Sequence, residues 1–207
     1  DEIQMVFGRH FNRNHFNGNH PIYSKDMAEK KTTSVGLKKA LFGEVNPKGG
    51  MPTEMKQLAR TFKGTASFTT EADTVTNFYS EEEPTVPVET VSSETGLKQV
   101  KLNLMEWDND VLVEVFGGSI AKAQEVTIEG KKYTVDKFKA PRDVVQIEKA
   151  LRVLTRYNVV IDIPRAKILA RFIWNLAADQ IAQIEITATA MSSASEEDGA
   201  YEIYKLG

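Results

Sequence analysis

Cysteine is absent from all 207 residues, which removes disulfides, thiolate catalysis and Cys-ligated zinc or iron–sulfur centres together. The absence fits synthesis in a reducing cytoplasm. Long apolar runs are missing too. The most apolar stretch, Ile168 to Leu176, carries Arg171 and reaches about half of the ~18 residues that read as a membrane span. No secretory signal is visible. An excess of positive charge is also lacking: 26 Lys and Arg face 29 Asp and Glu, for a net charge of −3 and a pI near 5.7. Without a basic stripe to neutralise phosphates, tight nucleic-acid binding is not expected. An acidic wall is still compatible with a DNA passage, because repulsion keeps the DNA from sticking.

Histidine is scarce and confined. His10, His15 and His20 all lie in residues 1–26, among Asn12, Asn14, Asn17 and Asn19, and no histidine follows Met27. A hydrolytic triad needs a base beside its nucleophile, and the rest of the chain offers no imidazole for that role. A shared metal is equally poorly served. A five-residue spacing turns successive side chains by roughly 140° on a helix and puts neighbours on opposite faces of a strand. No carboxylate lies between Glu2 and Asp26 to complete a ligand set.

The remaining motifs are also short of chemistry. Glu81-Glu82-Glu83-Pro84 lacks the alternating Asp pattern of an EF-hand. It reads as a solvated turn, or as an acidic wall facing a channel or a partner. Gly43 to Gly50 lacks the Lys-Ser/Thr of a phosphate loop, and Gly117-Gly118-Ser119 follows a helical stretch instead of opening one. Lys38-Lys39 and Lys131-Lys132 are isolated pairs, neither of them a nucleic-acid platform. Trp107 and Trp174 are expected as core or interface anchors. The expectation is therefore no enzyme, with no catalytic, cofactor-binding or metal-binding residue and no cofactor.

What is present is mostly strand. Thr65–Phe78 and Val86–Ser93 are rich in Thr, Val and aromatics. Leu97–Leu104 alternates with one slip. Glu125–Val135 predicts a hairpin turning at Glu129-Gly130. Val153–Ile163 and Lys167–Trp174 predict two runs with Pro164 as a stop between them. In Ile184–Ala190, Ile184, Ile186, Ala188 and Ala190 share one face and Glu185, Thr187 and Thr189 the other. One helix is predicted over Trp107–Phe116, with Asp108 as its cap, Asp110 at its positive end, and Leu112, Val115 and Phe116 on one face. Gly117-Gly118 ends it. A short helical turn is expected at Thr53–Leu58, a loop at Asn46–Pro52, a polar linker at Ser192–Gly199 and a brief strand at Tyr201–Tyr204. The architecture expected is mostly β: a β-sandwich or partly closed barrel with one main helix packed on it.

Composition shifts at Met27, where Met27-Ala28-Glu29-Lys30-Lys31 has the character of a bacterial protein start. Residues 1–26 are expected as an arm, a processed extension, a cloning remnant or an extended start-codon assignment. Residues 27–193 form the β domain, and 194–207 a C-terminal arm.

The order of these features resembles the tail-tube (major tail) proteins of bacteriophages. The residues that carry it begin with Thr33-Ser-Val-Gly-Leu-Lys-Lys-Ala-Leu-Phe-Gly and the loop Lys48-Gly-Gly-Met-Pro. Phe62-Lys-Gly-Thr-Ala-Ser-Phe and Asn77-Phe-Tyr-Ser-Glu-Glu-Glu-Pro follow. Leu102-Asn-Leu-Met-Glu-Trp-Asp-Asn-Asp-Val-Leu leads into Phe116-Gly-Gly, and Asn158-Val-Val-Ile-Asp-Ile-Pro-Arg-Ala-Lys precedes the last alternating strand, ending at Met191. The resemblance covers most of the chain after Met27. It implies a fold similar to that of the type VI secretion ring protein, closed into homohexameric rings that stack as a hollow conduit for DNA. It further implies a virion-tail location after assembly in the bacterial cytoplasm, with no membrane, and partners such as sheath, tape-measure or tail-terminator proteins. Thr69 to Thr76, with Glu71 and Asp73, is then a candidate lumen wall, and Asn46 to Leu58 a candidate contact to the next ring. The competing expectations are the tube subunit of a phage-derived contractile injection system and a stand-alone β-sandwich binding module. The module calls for a clustered patch of exposed aromatics, which the sequence offers only at Phe7, Phe11, Phe16 and Tyr23.

Overall fold

In the computed structural model, which describes residues 31–207, the elements follow the order β1 (Leu37–Gly43), β2 (Ser67–Thr70), β3 (Thr74–Phe78), β4 (Glu89–Glu94), β5 (Lys98–Leu104), α1 (Asn109–Phe116), β6 (Ser119–Ile128), β7 (Lys131–Lys139), β8 (Ile147–Thr155), β9 (Val159–Ile173), β10 (Gln183–Ala190) and β11 (Glu202–Lys205). The fold is mostly β with a single helix among the described residues, as the patterning predicts. Seven strands make one antiparallel sheet in the order β1-β8-β9-β10-β5-β2, and β11 is added to β9. Two hairpins, β3–β4 and β6–β7, are separate two-stranded ribbons.

Period two places the core. Ile184 and Ile186 on β10 are fully buried, and so are Leu102 and Leu104 on β5, Leu151 on β8 and Ile163 on β9. Each side chain of this kind withdrawn from water contributes about 1.5–3 kcal/mol. The concave face they form is covered by α1, whose Val111, Leu112 and Val115 are buried in the same cluster. Asp108 caps α1, its carboxylate accepting from the Val111 N–H at 2.8 Å. Gly117 and Gly118 leave the helix at φ 73° and 88°, where glycine is favoured.

The sheet curls, and one end is closed by the segment between β1 and β2. Phe42 and Lys56 exchange backbone hydrogen bonds of 2.8 and 2.9 Å. Further on, Phe62 N–H donates to Asn103 at 2.7 Å and Met105 N–H to Arg60 at 3.0 Å. One stretch of chain thus bridges the margins of β1 and β5, making a partly closed barrel. The helical turn expected at Thr53–Leu58 does not form, because Lys56 supplies the backbone partners that Phe42 at the sheet margin needs. At the other end Gly36, Leu37, Ser67 and Phe68 face each other across an open gap of about 180 Å³.

Two further expectations are corrected. The Val153–Ile163 run is two strands: Arg156–Asn158 is a turn, with Asn158 at φ 59° and Thr155 Oγ1 accepting from the Val159 N–H at 3.1 Å. Asparagine enters the left-handed region more readily than other side-chain-bearing residues. Pro164 does not stop the second run, because β9 continues through it to Ile173. On one side β11 pairs as far as Asp162 and β10 begins at Ala166; on the other the β8 register shifts between Lys149 and Leu151. A residue without an N–H sits in the gap the ladders leave.

Candidate assembly surface

The two ribbons differ from the barrel in what they bury. Every residue of β3 and β4 is exposed, including Val75, Phe78 and Val91. The ribbon β6–β7 is packed on α1 near its base, with Phe116 and Phe138 6.4 Å apart, while Ile128 and Tyr133 toward its tip are exposed. A β6 of ten residues reaches about 33 Å when extended, beyond what the helix covers. An isolated two-stranded hairpin is marginal in water. Both ribbons therefore present paired backbone and uncovered apolar side chains.

The candidate lumen strip Thr69–Thr76 lies where the chain leaves β2 and enters β3, and all eight positions are exposed. Its carboxylates are engaged locally: Asp73 accepts from the Gly96 N–H at 2.9 Å and Glu71 from the Leu97 N–H at 3.4 Å. The other candidate, Asn46–Leu58, is divided. Its Gly49-Gly50 tip is held within the chain, with Asp198 accepting from the Gly50 N–H and from the Ser193 hydroxyl. A Cβ on Gly49, which sits at φ 88°, would meet Ser195 Cβ at 2.4 Å. Sequence reasoning treated this loop and the C-terminal segment separately, and nothing in either one signals the other.

Sequence reasoning also missed an aromatic cluster. Trp107 meets Phe172 and Trp174 edge-on at 5.5 and 5.4 Å, and Phe116 stacks on Phe172 at 5.0 Å. Trp174 remains 56% exposed, with Leu176 and Ile181 beyond it also open to solvent. The rings come from β7, β9, the residue before the α1 cap, the last residue of α1 and the segment just past β9, so only the folded topology gathers them. The aromatic residues Phe7, Phe11, Phe16 and Tyr23, like His10, His15 and His20, lie outside the described residues.

A minority of the charged side chains satisfy one another, and the less exposed of these form two networks. Asp162, the buried charged residue of the sheet, accepts from Arg152 Nε and Nη2, both at 2.7 Å, and from the Tyr204 hydroxyl at 2.9 Å. The hydrogen bond to Asp162 raises the Arg152 pKa further, and burial followed by the Asp162 contact raises that of Tyr204. This clamp fastens β11 to β9. A second network lies in a cleft of about 470 Å³ between β1, β8 and α1, where Lys149 pairs with Glu44 and Glu114, and Lys56 with Glu114 at 2.7 Å. Burial works to raise the Glu114 pKa, yet the hydrogen bonds from Lys149 and Lys56 leave it lowered. Its oxygens already hold ammonium partners, which suits a structural tie better than proton transfer. Among the described residues no three His, Asp or Glu side chains converge to hold a metal ion, and no helix is long and apolar enough to cross a membrane.

No protein-family model matches the chain, and no curated protein matches it.

Proposed function

We propose that this chain is a structural subunit of a phage tail tube or a related contractile injection tube, closing into hexameric rings that stack around a conduit for DNA. The observation that carries this reading is the β3–β4 ribbon, eleven strand residues with none buried. A ribbon of that kind finds its missing cover in an assembly. The open gap between β1 and β2 supports the same reading, since an unpaired sheet margin is a liability that a neighbouring copy removes. The order of features from Thr33 to Ser192, which resembles that of tail-tube proteins, supplies the link to them. Sheath, tape-measure and terminator proteins are the partners such a tube takes, in a virion tail.

The test is gel filtration over a rising concentration series with negative-stain images of the same fractions. Six-membered rings or hollow tubes are expected. Single copies on the column, with neither rings nor tubes in the images, overturn the reading.

A stand-alone binding module is favoured by one specific observation, the exposed Trp174 and Phe172 on their aromatic support. Carbohydrate binding that disappears in Trp174→Ala, from a protein that stays monomeric, would establish it instead.

A further inference from the structure

The tips of the two ribbons carry opposite charge. From Glu71 to Glu94 the chain has seven carboxylates and no lysine or arginine, with Glu81, Glu82 and Glu83 at the turn between β3 and β4. From Ser119 to Lys139 it has five lysines against three carboxylates, with Lys131 and Lys132 opening β7 beside Glu129 of the turn, so that these three leave one net positive charge at the tip. Among the described residues none of the seven carboxylates is ion-paired, and of the five lysines only Lys132 is, to Glu125 at 3.9 Å. Each tip also exposes apolar side chains, Tyr79, Val86 and Val88 on one and Ile128 and Tyr133 on the other. The ribbons belong to separate sheets and do not pack on each other within the subunit.

We propose that the acidic β3–β4 ribbon of one copy docks on the lysine-bearing β6–β7 ribbon of a second copy of this chain. The partner is a second copy because one chain supplies both halves of the contact in equal number. Opposed charges select and orient the encounter, and the apolar side chains beside them are covered once it forms. A contact between two different surfaces is head-to-tail, which closes into a ring or propagates along an axis. The inference rests on the self-assembly proposed above and assigns the residues that direct it.

The experiment uses three charge variants of the full chain. One carries Glu81→Lys, Glu82→Lys and Glu83→Lys; the second carries Lys131→Glu and Lys132→Glu; the third combines all five changes. All five sites are exposed turn or turn-flanking positions, and circular dichroism with thermal melts checks that each variant folds. In the first variant both tips are positive, and in the second both are negative. Each alone is expected to need about 100-fold more protein to assemble, since like-charge contact costs several kcal/mol. Mixing the two places every positive tip against a negative one and restores assembly. The combined variant, with the charges exchanged, assembles by itself. Recovery on mixing is an outcome that a folding defect does not produce.

If wild type assembles and the single-sign variants do so equally well, the docking is wrong and the tube reading stands. If they fail alone and mixing does not rescue them, charge pairing between the ribbons is also wrong. If wild type stays single at every concentration, the docking and the tube reading fall together.

Discussion

The barrel and the β3–β4 ribbon are both antiparallel β-structure and meet opposite fates. On β10, Ile184 and Ile186 vanish into the core that α1 shares, whereas Val75 and Val91 on β3 and β4 stay about half-exposed. Both have β-favouring residues, so β propensity alone does not separate them, but the barrel strands add the Ile and Leu that β3 and β4 lack. The difference lies in whether another layer of the same chain arrives on top. The barrel has α1 and the curl of its own sheet; β3–β4 has nothing from the described residues. Stability inside the chain is therefore concentrated in the barrel, and the ribbon adds little burial of its own.

The sharpest way to break that contrast is to remove a core methyl cluster. Ile184→Ala empties a fully buried site between β5 and β9 and is expected to lower subunit stability by about 3 kcal/mol, read from urea unfolding. A loss under about 1 kcal/mol would show that the barrel is loosely packed and the contrast overstated.

The clamp on β11 comes next. Asp162→Ala leaves Arg152 without its bidentate partner and Tyr204 without its acceptor. Arg152 is one-third exposed and recovers some hydration, so about 2–3 kcal/mol is expected, less than for a fully buried pair. Tyr204 also gives a pH signature. Its pKa is raised in the folded protein, first by burial and then by Asp162. A phenol shifted upward contributes stability that is complete below its ordinary value near 10 and declines as pH rises through the folded value. Tyr204→Phe should cost about 1 kcal/mol at neutral pH and flatten the alkaline limb of the stability profile. An unchanged alkaline limb would remove Tyr204 from the clamp.

How legible these regions are in the sequence follows from the same contrast. Ile184–Ala190 and Asp108–Gly118 declare themselves because their signals are local: a period of two, a capping carboxylate, a glycine pair. The turn at Arg156–Asn158 is hidden because one asparagine interrupts an otherwise continuous apolar run, and Pro164 misleads because its strand passes through a gap between two partners. No local signal marks the aromatic cluster or the seating of Gly49-Gly50 under Asp198, since each joins residues far apart in the chain. The ribbons are intermediate. Their turns are visible, at Glu129-Gly130 and around Pro84, but their separation from the main sheet is a fact of topology that no window of residues contains.

The smallest expected effect is also the most discriminating. Val75 and Val91 are about half-exposed on the β3–β4 ribbon, so Val75→Ser and Val91→Ser remove far less hidden area than a core substitution does. Each should change the unfolding free energy of the isolated subunit by less than about 0.5 kcal/mol. If the ribbon is covered only in the assembly, the same substitutions raise the concentration at which higher-order species appear on gel filtration, with monomer melting unchanged. A clear drop in monomer stability would mean that the ribbon is already supported within its own chain. Its exposure would then say nothing about a neighbour, and the barrel and the ribbon would differ in degree alone.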